Sequence, residues 1–462
     1  GTGMGNEGYG RIRKKKRKSN GRGKCQTGIG NRIVGSNDQG YDGPHGDKLV
    51  EVDAKTEEAV QRFGENGRVD RASEIPRNGQ GTADHRGHPV ISVNSPPIVA
   101  HDIVVTPTSI SDQPITKEQP PGWVKGIDVR TGETKWMFRT VPQADDIGVE
   151  TWQDESWRYS GGANVWSMFS VDDELGYIYL PTGTPTNDYY GGYRPGNNLF
   201  AESLVCLDAT TGERIWHFQA VHHGLWDYDL PAAPTLVDIT VDGRDIKAVA
   251  QVSKQGFTYV FDRVTGEPVW PIEERAVALS SVPGERASPT QPFPTKPPAF
   301  ERQGISVDDL IDFTPEIRAE AMEIAAQFRM SSLFTPPSRI DDPDGTKGTL
   351  VLPGWGGGAS WPGAGVDVES GILFIPSLTV PIVAALEKSE PGAGGTDYFR
   401  SGEIYPAGPR GLPLVKPPWG RITASDLNTG DHRWMKPLGG APREVREPPD
   451  LQGLGLGFSS CG

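Results

Sequence analysis

The stretch SLVCLDATTGERIW, residues 203–216, is an alternating apolar run, a turn and a closing tryptophan. Its centre, D-x2-T-G-x3-W, occurs four times: Asp128 to Trp136 (DVRTGETKW), Asp208 to Trp216 (DATTGERIW), Asp262 to Trp270 (DRVTGEPVW) and Asp426 to Trp434 (DLNTGDHRW). A degenerate fifth copy runs from Asp53 to Gln61. Each copy follows a short apolar run (WVKGID, SLVCLD, FTYVFD, GRITASD) and leads into another strand, so Asp and Thr-Gly supply a hairpin turn. The tryptophan is a rigid apolar plate that can sit between successive sheets, which is how radially repeated blades bury their faces. The repeat therefore predicts an all-β fold, a β-propeller of four-stranded antiparallel blades. The alternative is a β-sandwich with coincidental turns. Spacings of 80, 54 and 164 residues from Asp128 to Asp208, Asp262 and Asp426 mean that some blades carry insertions or have lost the signature. VWSMFSVDDELGYIYLPTG and GVDVESGILFIPS supply further strand pairs.

Composition agrees with many short strands. Gly and Pro number 59 and 41 of 462 residues, nearly twice the soluble average, which excludes a helical bundle. No run approaches ~20 consecutive apolar residues, so no transmembrane helix is predicted. The net charge of −14 is uneven. Residues 1–30 hold nine basic residues and one acid, leaving 37 basic against 59 acidic residues elsewhere, a charge of −22. A body this acidic argues against a nucleic-acid partner. Cys25, Cys206 and Cys461 are too few and too scattered for a disulfide framework, a CxxC metal site or a CxxCH haem attachment.

Residues 281–345 read as an insertion that opens Pro-rich. Ser306-Val-Asp-Asp then starts one amphipathic helix, with Leu310, Ile311, Ile317, Ala321 and Ile324 apolar at helical spacing, packed on the outside of the propeller. Residues 1–45 show no periodicity and read as a disordered or aberrant segment. The propeller is expected over 46–449. Residues 450–462 read as a truncated tail, because a blade hairpin opens at Gly420 without its remaining strands, which makes the chain an incomplete fragment.

The densest cluster of reactive side chains is HHGLWDYD, residues 222–229, on a loop between blade strands. Taken with the turn-and-Trp repeats, SKQGFTYVFDRVTGE, GGANVWSMFSVDDELGYIYLPTGTP and YRPGNN, this loop strongly resembles the pyrroloquinoline quinone (PQQ)-dependent dehydrogenases. Those are eight-bladed quinoproteins that oxidise alcohols and aldose sugars, and the likeness covers about Leu49 to Pro449. It is nearer the glucose dehydrogenase branch, because Lys254 stands where methanol-type enzymes carry Arg and the vicinal Cys-Cys pair is absent.

The resemblance implies roles. Asp227 matches the aspartate that acts as general base beside the metal, and Lys254 matches the cation that hydrogen-bonds the quinone oxygens. Trp166 matches the stacking plate beneath the planar cofactor. The metal, Ca²⁺ or Mg²⁺, is expected on Asp227, Thr184 (where relatives carry Asn) and Asp112 (the nearest acid to the family's Glu position). Ser360 and Trp361, in GWGGGASWPG, resemble a late segment lining the quinone pocket. The implied function is oxidation of a sugar or alcohol hydroxyl, with electrons passed to an external acceptor, ubiquinone or cytochrome c, in or facing the periplasm. A non-catalytic propeller that assembles other proteins is the rival, though it has no reason to keep Trp166, Asp227 and Lys254 in register. A glycosidase-like acid pair of Asp227 and Asp229 is weaker, because alternate strand residues point to opposite faces.

Overall fold

A computed structural model of the chain describes residues 27–29, 32–37 and 48–439, apart from residues 80, 82–88, 94, 113–115, 331, 391–394 and 403. The repeat forms the hairpin its sequence dictates. In each copy the aspartate Oδ1 accepts the backbone N–H two residues on: Arg130 on Asp128, Thr210 on Asp208 and Val264 on Asp262, each 2.8–2.9 Å, and Asn428 on Asp426 at 2.8 Å. The glycine N–H then closes back onto the aspartate carbonyl. The degenerate copy does the same, with Lys55 N on Asp53 Oδ1 at 2.8 Å. So do two turns without the tryptophan, at Asp172 and Asp367.

Sheets follow one another along the chain as antiparallel meanders. The first four-stranded sheet is Thr27–Ile29, Arg32–Asn37, Lys48–Asp53 and Arg68–Asp70. The second is Ile98–Ala100, Ile103–Thr106, Val124–Asp128 and Thr134–Phe138; the third is Ser170–Asp172, Tyr177–Pro181, Ser203–Asp208 and Arg214–Gln219. The last described sheet is Gly365–Asp367, Ile372–Leu378, Gly420–Asp426 and Asp431–Pro437.

Not every sheet has four strands. Thr235–Val241, Arg244–Val252 and Thr258–Asp262 make three, because the fourth position falls on Pro268, which offers no N–H and forms only a single bridge to Phe261. Another sheet is mixed: Ile382–Lys388 pairs antiparallel with Thr349–Val351 and Tyr398–Ser401 and parallel with Ser338–Arg339.

The cores lie between consecutive sheets. Val105, Val124 and Phe138 of the second meet Leu180, Val205 and Leu207 of the third. Tyr179, Cys206 and Trp216 of the third meet Val249, Tyr259 and Phe261 of the next. The tryptophans lock the stack. Trp136 Nε1 donates to Ala209 O at 3.1 Å and its ring covers Gly212, where an added Cβ would meet it at 2.6 Å. Trp216 does the same to Arg263 O and Gly266, and Trp270 covers Gly430. Each plate thus sits on the Thr-Gly turn of the following copy.

Three sequence readings are corrected. Arg32–Asn37 pairs in full register with Lys48–Asp53, from Arg32 opposite Asp53 to Asn37 opposite Lys48, so the first sheet begins inside the segment 1–45 that read as aperiodic. Its two strands are too short to show a period amid Gly and basic residues. Ser306 caps only a one-turn 3₁₀ segment, Val307–Asp309, and the α-helix is Pro315–Ala325, capped by Thr314 with Pro315 in its first turn. Leu310 and Ile311 precede the helix, yet join Ile317, Ala321 and Ala325 against Leu350, Val383 and Trp419. The hairpin from Gly420 does not open a blade that lacks its remaining strands: Gly420–Asp426 and Asp431–Pro437 complete the four-stranded sheet begun by Gly365–Asp367 and Ile372–Leu378. The tail 450–462 lies outside the described residues.

Candidate active site

Three loops leaving strand ends converge: residues 182–190, 220–230 and 253–256. They are stitched by backbone bonds, Leu230 N to Thr182 O and Lys254 N to Asp229 O, both 3.3 Å. At their meeting point Lys254 Nζ donates to Asp227 Oδ1 at 2.7 Å and to Asp229 Oδ2 at 2.6 Å. Asp229 is the hub. Its Oδ1 accepts from Thr184 N at 2.5 Å and from Thr184 Oγ1 at 3.0 Å, and its Oδ2 accepts from Trp166 Nε1 at 3.1 Å. The Trp166 ring centre lies 5.5 Å from Lys254 Nζ, within cation–π range.

The placement of both aspartates on one ammonium corrects the opposite-face argument. Residues 222–229 are not a strand; Asp227 itself is left-handed at φ 58, and the turn swings its carboxylate to the same side as Asp229.

Charge is crowded. Burial pushes the Asp227 carboxyl well above its ordinary value, with Asp229 and Asp188 adding to the rise and Lys254 opposing it. Burial also works to raise Asp229, but Lys254 and hydrogen bonds from Asp227, Lys254 and Thr184 outweigh it, so Asp229 is held low. Of the pair, Asp227 thus has the higher proton affinity and Asp229 the lower. Asp188 is raised, by burial first and by Asp112 and Asp229 next. Burial, with Asp229 second, pushes Glu202 up to about 8. Glu202 Oε1 lies 3.0 Å from Thr184 Oγ1, which also lies 3.0 Å from Asp229 Oδ1. A hydroxyl carries one proton, so a protonated Glu202 supplies the second bond.

Asp227, Lys254, Trp166 and Thr184 are thus brought together as the sequence suggested. Asp112 is exposed and shares no hydrogen bond with these described residues, yet burial first and the Asp229 carboxylate second push its carboxyl up to about 6. Ser360 is half-buried and Trp361 is 49% exposed. Their segment touches the site through its glycines instead: Gly358 N donates to Lys254 O at 2.8 Å, and a Cβ on Gly357 would meet Lys254 Cγ at 2.6 Å.

Asp229, Glu202, Asp188 and Arg194 were missed as site residues. The second acid of WDYD was in plain view, whereas nothing in the local pattern marks Glu202 or Asp188. Arg194 is fully buried and binds Asn198 Oδ1, Asn187 O and Gly224 O, bracing the loops behind the carboxylates.

Among the described residues no group of three or more His, Cys, Asp or Glu side chains is arranged to hold a metal ion. A smaller oxygen set does suit a hard divalent cation: the Thr184 hydroxyl, Asp229, and Glu202, whose Oε2 is buried without a hydrogen-bond partner. The half-buried indole of Trp166 beside Lys254 suits a flat anionic quinone.

Residues 39–457 match the family model described as glucose/ethanol/alcohol dehydrogenase, β-propeller domain. The chain is 32% identical over 418 residues to quinoprotein glucose dehydrogenase of Escherichia coli (strain K12), covering 85% of this chain and 49% of that protein. It is 31% identical over 427 residues to the glycerol dehydrogenase large subunit of Gluconobacter oxydans (strain 621H), covering 85% and 54%. It is 30% identical over 414 residues to quinate/shikimate dehydrogenase (quinone) of Acinetobacter baylyi, covering 85% and 49%. The chain spans about half the length of these curated relatives. Among solved structures, quinohemoprotein alcohol dehydrogenase from Comamonas testosteroni is similar in fold, with a TM-score of 0.55 at 20% identity over 88% of this chain and 51% of that one.

Proposed function

The chain belongs to the PQQ-dependent dehydrogenase β-propeller family, and from that premise we propose that it oxidises a hydroxyl of a sugar or alcohol with PQQ as the hydride acceptor. One observation carries the reading: Lys254 is held between Asp227 and Asp229 beside the Trp166 ring. A scaffold propeller gains nothing from a buried ammonium bridging two carboxylates, which is costly to desolvate.

In this reading Asp227 takes the substrate hydroxyl proton at its carboxylate. Its high proton affinity favours that transfer, and the Lys254 ammonium at 2.7 Å keeps the ionised form within reach. Lys254 then offers a fixed positive charge where negative charge develops. Asp229 does not take the proton; it orients Lys254, Thr184 and the Trp166 indole. Bound PQQ supplies an electrophilic quinone that accepts hydride, chemistry no side chain provides. Trp166 would lie against its plane, and Thr184, Asp229 and Glu202 would hold Ca²⁺ or Mg²⁺, with Asp227 beside it and Asp112 at the approach. Ser360 and Trp361 belong to the outer wall of the same pocket.

The reading extends to eight blades, to an external acceptor such as ubiquinone or cytochrome c, and to a periplasmic setting. These rest on the family alone; no helix among the described residues is long and apolar enough to cross a membrane. The test is a titration of the chain with PQQ and Ca²⁺, followed by dye reduction over a panel of sugars and alcohols. Saturable quinone binding with substrate-dependent dye reduction is expected. Failure to bind PQQ would favour a scaffold.

A further inference from the structure

The insertion 281–345 grips the loop that carries Asp227 on both sides of that residue. On the approach, His222 exchanges two bonds with buried Gln291, its N–H donating at 2.8 Å and its carbonyl accepting at 2.7 Å. His223 Nε2 lies 2.6 Å from Glu285 Oε1, with both side chains buried. Next to Asp227, the Trp226 indole donates to Thr335 O at 2.8 Å. On the other side, the Tyr228 hydroxyl lies 2.9 Å from Pro353 O and 3.4 Å from Leu333 O. The Trp226 and Tyr228 rings stack, with centres 6.1 Å apart and planes at 20°, and Phe334 meets both edge-on at 5.3 and 6.0 Å.

Residues 332–335 form a turn outside every strand, closed by Thr335 N on Ser332 O at 3.1 Å, so the carbonyls of Leu333 and Thr335 face the loop instead of a sheet partner. With the Phe334 ring they fix Trp226 and Tyr228 at both polar tip and apolar face. Asp227 between them has φ 58, a left-handed backbone that a residue with a Cβ keeps only where its surroundings outweigh the cost. With both neighbours turned onto the Phe334 wall, its carboxylate is directed to Lys254 Nζ, 2.7 Å away. Asp227 makes no hydrogen bond to the insertion among the described residues, so the insertion reaches it through these neighbours. Asp229 has anchors of its own in Thr184, Trp166 and Lys254, so a loosened grip moves Asp227 first.

We propose that Phe334 is a positioning residue for Asp227. Acting through Trp226 and Tyr228, it holds residue 227 left-handed with the carboxylate at Lys254, and so sets the reach of the base and not the affinity of the site. A displaced base loses rate steeply, because proton transfer needs hydrogen-bond distance to the reacting hydroxyl. The proposal rests on the reading of Asp227 as the base.

Tyr228→Phe and Phe334→Leu loosen the grip at tip and face while leaving both positions apolar. Tyr179→Phe, which removes a hydroxyl 2.9 Å from Arg263 O in the blade core, is the control. With PQQ, Ca²⁺ and D-glucose as the probe, kcat by dye reduction is expected to fall about tenfold in both grip variants, with KM and PQQ affinity within about twofold of wild type. The control should lose comparable stability yet keep kcat within about twofold. Hydrogen exchange of peptide 222–230 should quicken in the grip variants and not in the control. The proposal is overturned if kcat holds in both grip variants, even with quickened exchange, or if KM or PQQ affinity is lost in place of kcat. A wild-type chain that reduced no dye over the panel of sugars and alcohols would sink the dehydrogenase reading; quickened exchange in the grip variants would then leave the grip standing, and unchanged exchange would overturn it too.

Discussion

The indole of Trp216 covers Gly266 so closely that a Cβ built on that glycine would stand 2.6 Å from the ring Cγ, and its Nε1 donates to Arg263 O in the same turn at 3.2 Å. The closing residue of one repeat is therefore fitted to the turn of the next. Gly266→Ala is expected to cost stability twice, through a left-handed φ of 80 and through displacement of the plate. Gly243→Ala is the control: its φ is 75, but nothing lies within 4 Å of an added Cβ. The control should lose about 1 kcal/mol and Gly266→Ala roughly 1–3 kcal/mol more, read by denaturant unfolding. Equal losses would mean that the ring moves aside at no cost.

How much of this was legible follows from what each residue has to do. The repeat could be read because four of its turns carry the same Asp, Thr and Gly and the same closing Trp. The turns at Asp172 and Asp367 escaped as repeats because they lack the tryptophan, although their aspartates make the same bonds. At the candidate site, the family likeness, which keeps residues at fixed register, points to Asp227, Lys254, Trp166 and Thr184. It does not point to Glu202 and Asp188, because a buried carboxylate is recognised by what surrounds it, and their neighbours come from loops brought together only by the fold. The helix start was misplaced because Ser306 and Thr314 both carry valid caps; Pro315, which favours the first turn of a helix, decides between them.

Lys254 carries the compensating charge for two buried carboxylates, so removing it exposes their repulsion. Lys254→Met should lower both stability and PQQ affinity, and cut dye-linked turnover by about 10²-fold or more. Lys254→Arg keeps the charge and should fold like wild type while losing part of the turnover, because the guanidinium cannot sit as a point charge between Asp227 and Asp229. Thermal unfolding and PQQ titration of the two variants together check this. A methionine variant as stable as wild type would show that the carboxylates are neutralised by another route.

His217 gives a pH dependence of known sign. Its imidazole is pushed down to about 4 by burial, with Arg214 adding to the effect. Its Nδ1 lies 3.1 Å from Arg214 Nη1, and its ring meets Phe200 edge-on at 5.0 Å. The folded state thus prefers the neutral ring, while the unfolded chain takes up its proton near 6.5, the ordinary histidine value. The stability this confers is complete above pH 6.5 and is lost as pH falls from there towards 4, at no more than about 1.4 kcal/mol per pH unit. His217→Gln should flatten the unfolding temperature against pH between 6.5 and 5, above the range where most carboxylates titrate. An unchanged slope would place the acid lability elsewhere.

Asp227 and Asp229 share Lys254, and their different surroundings predict different losses on the same substitution. Asp227 accepts one bond from Lys254, and burial and its acidic neighbours make its carboxylate costly to ionise, so Asp227→Asn removes that cost. Its unfolding temperature should match or exceed that of wild type, while dye-linked turnover falls by about 10³-fold or more, since an amide cannot take the hydroxyl proton. Asp229 is ionised and accepts from Lys254, Trp166 and both donors of Thr184, so Asp229→Asn removes the charge that organises the site. It should lower the unfolding temperature and weaken PQQ and Ca²⁺ binding as well as turnover. Turnover of Asp227→Asn within about threefold of wild type would remove it as the base, and an Asp229→Asn variant with normal binding would move the hub to another residue.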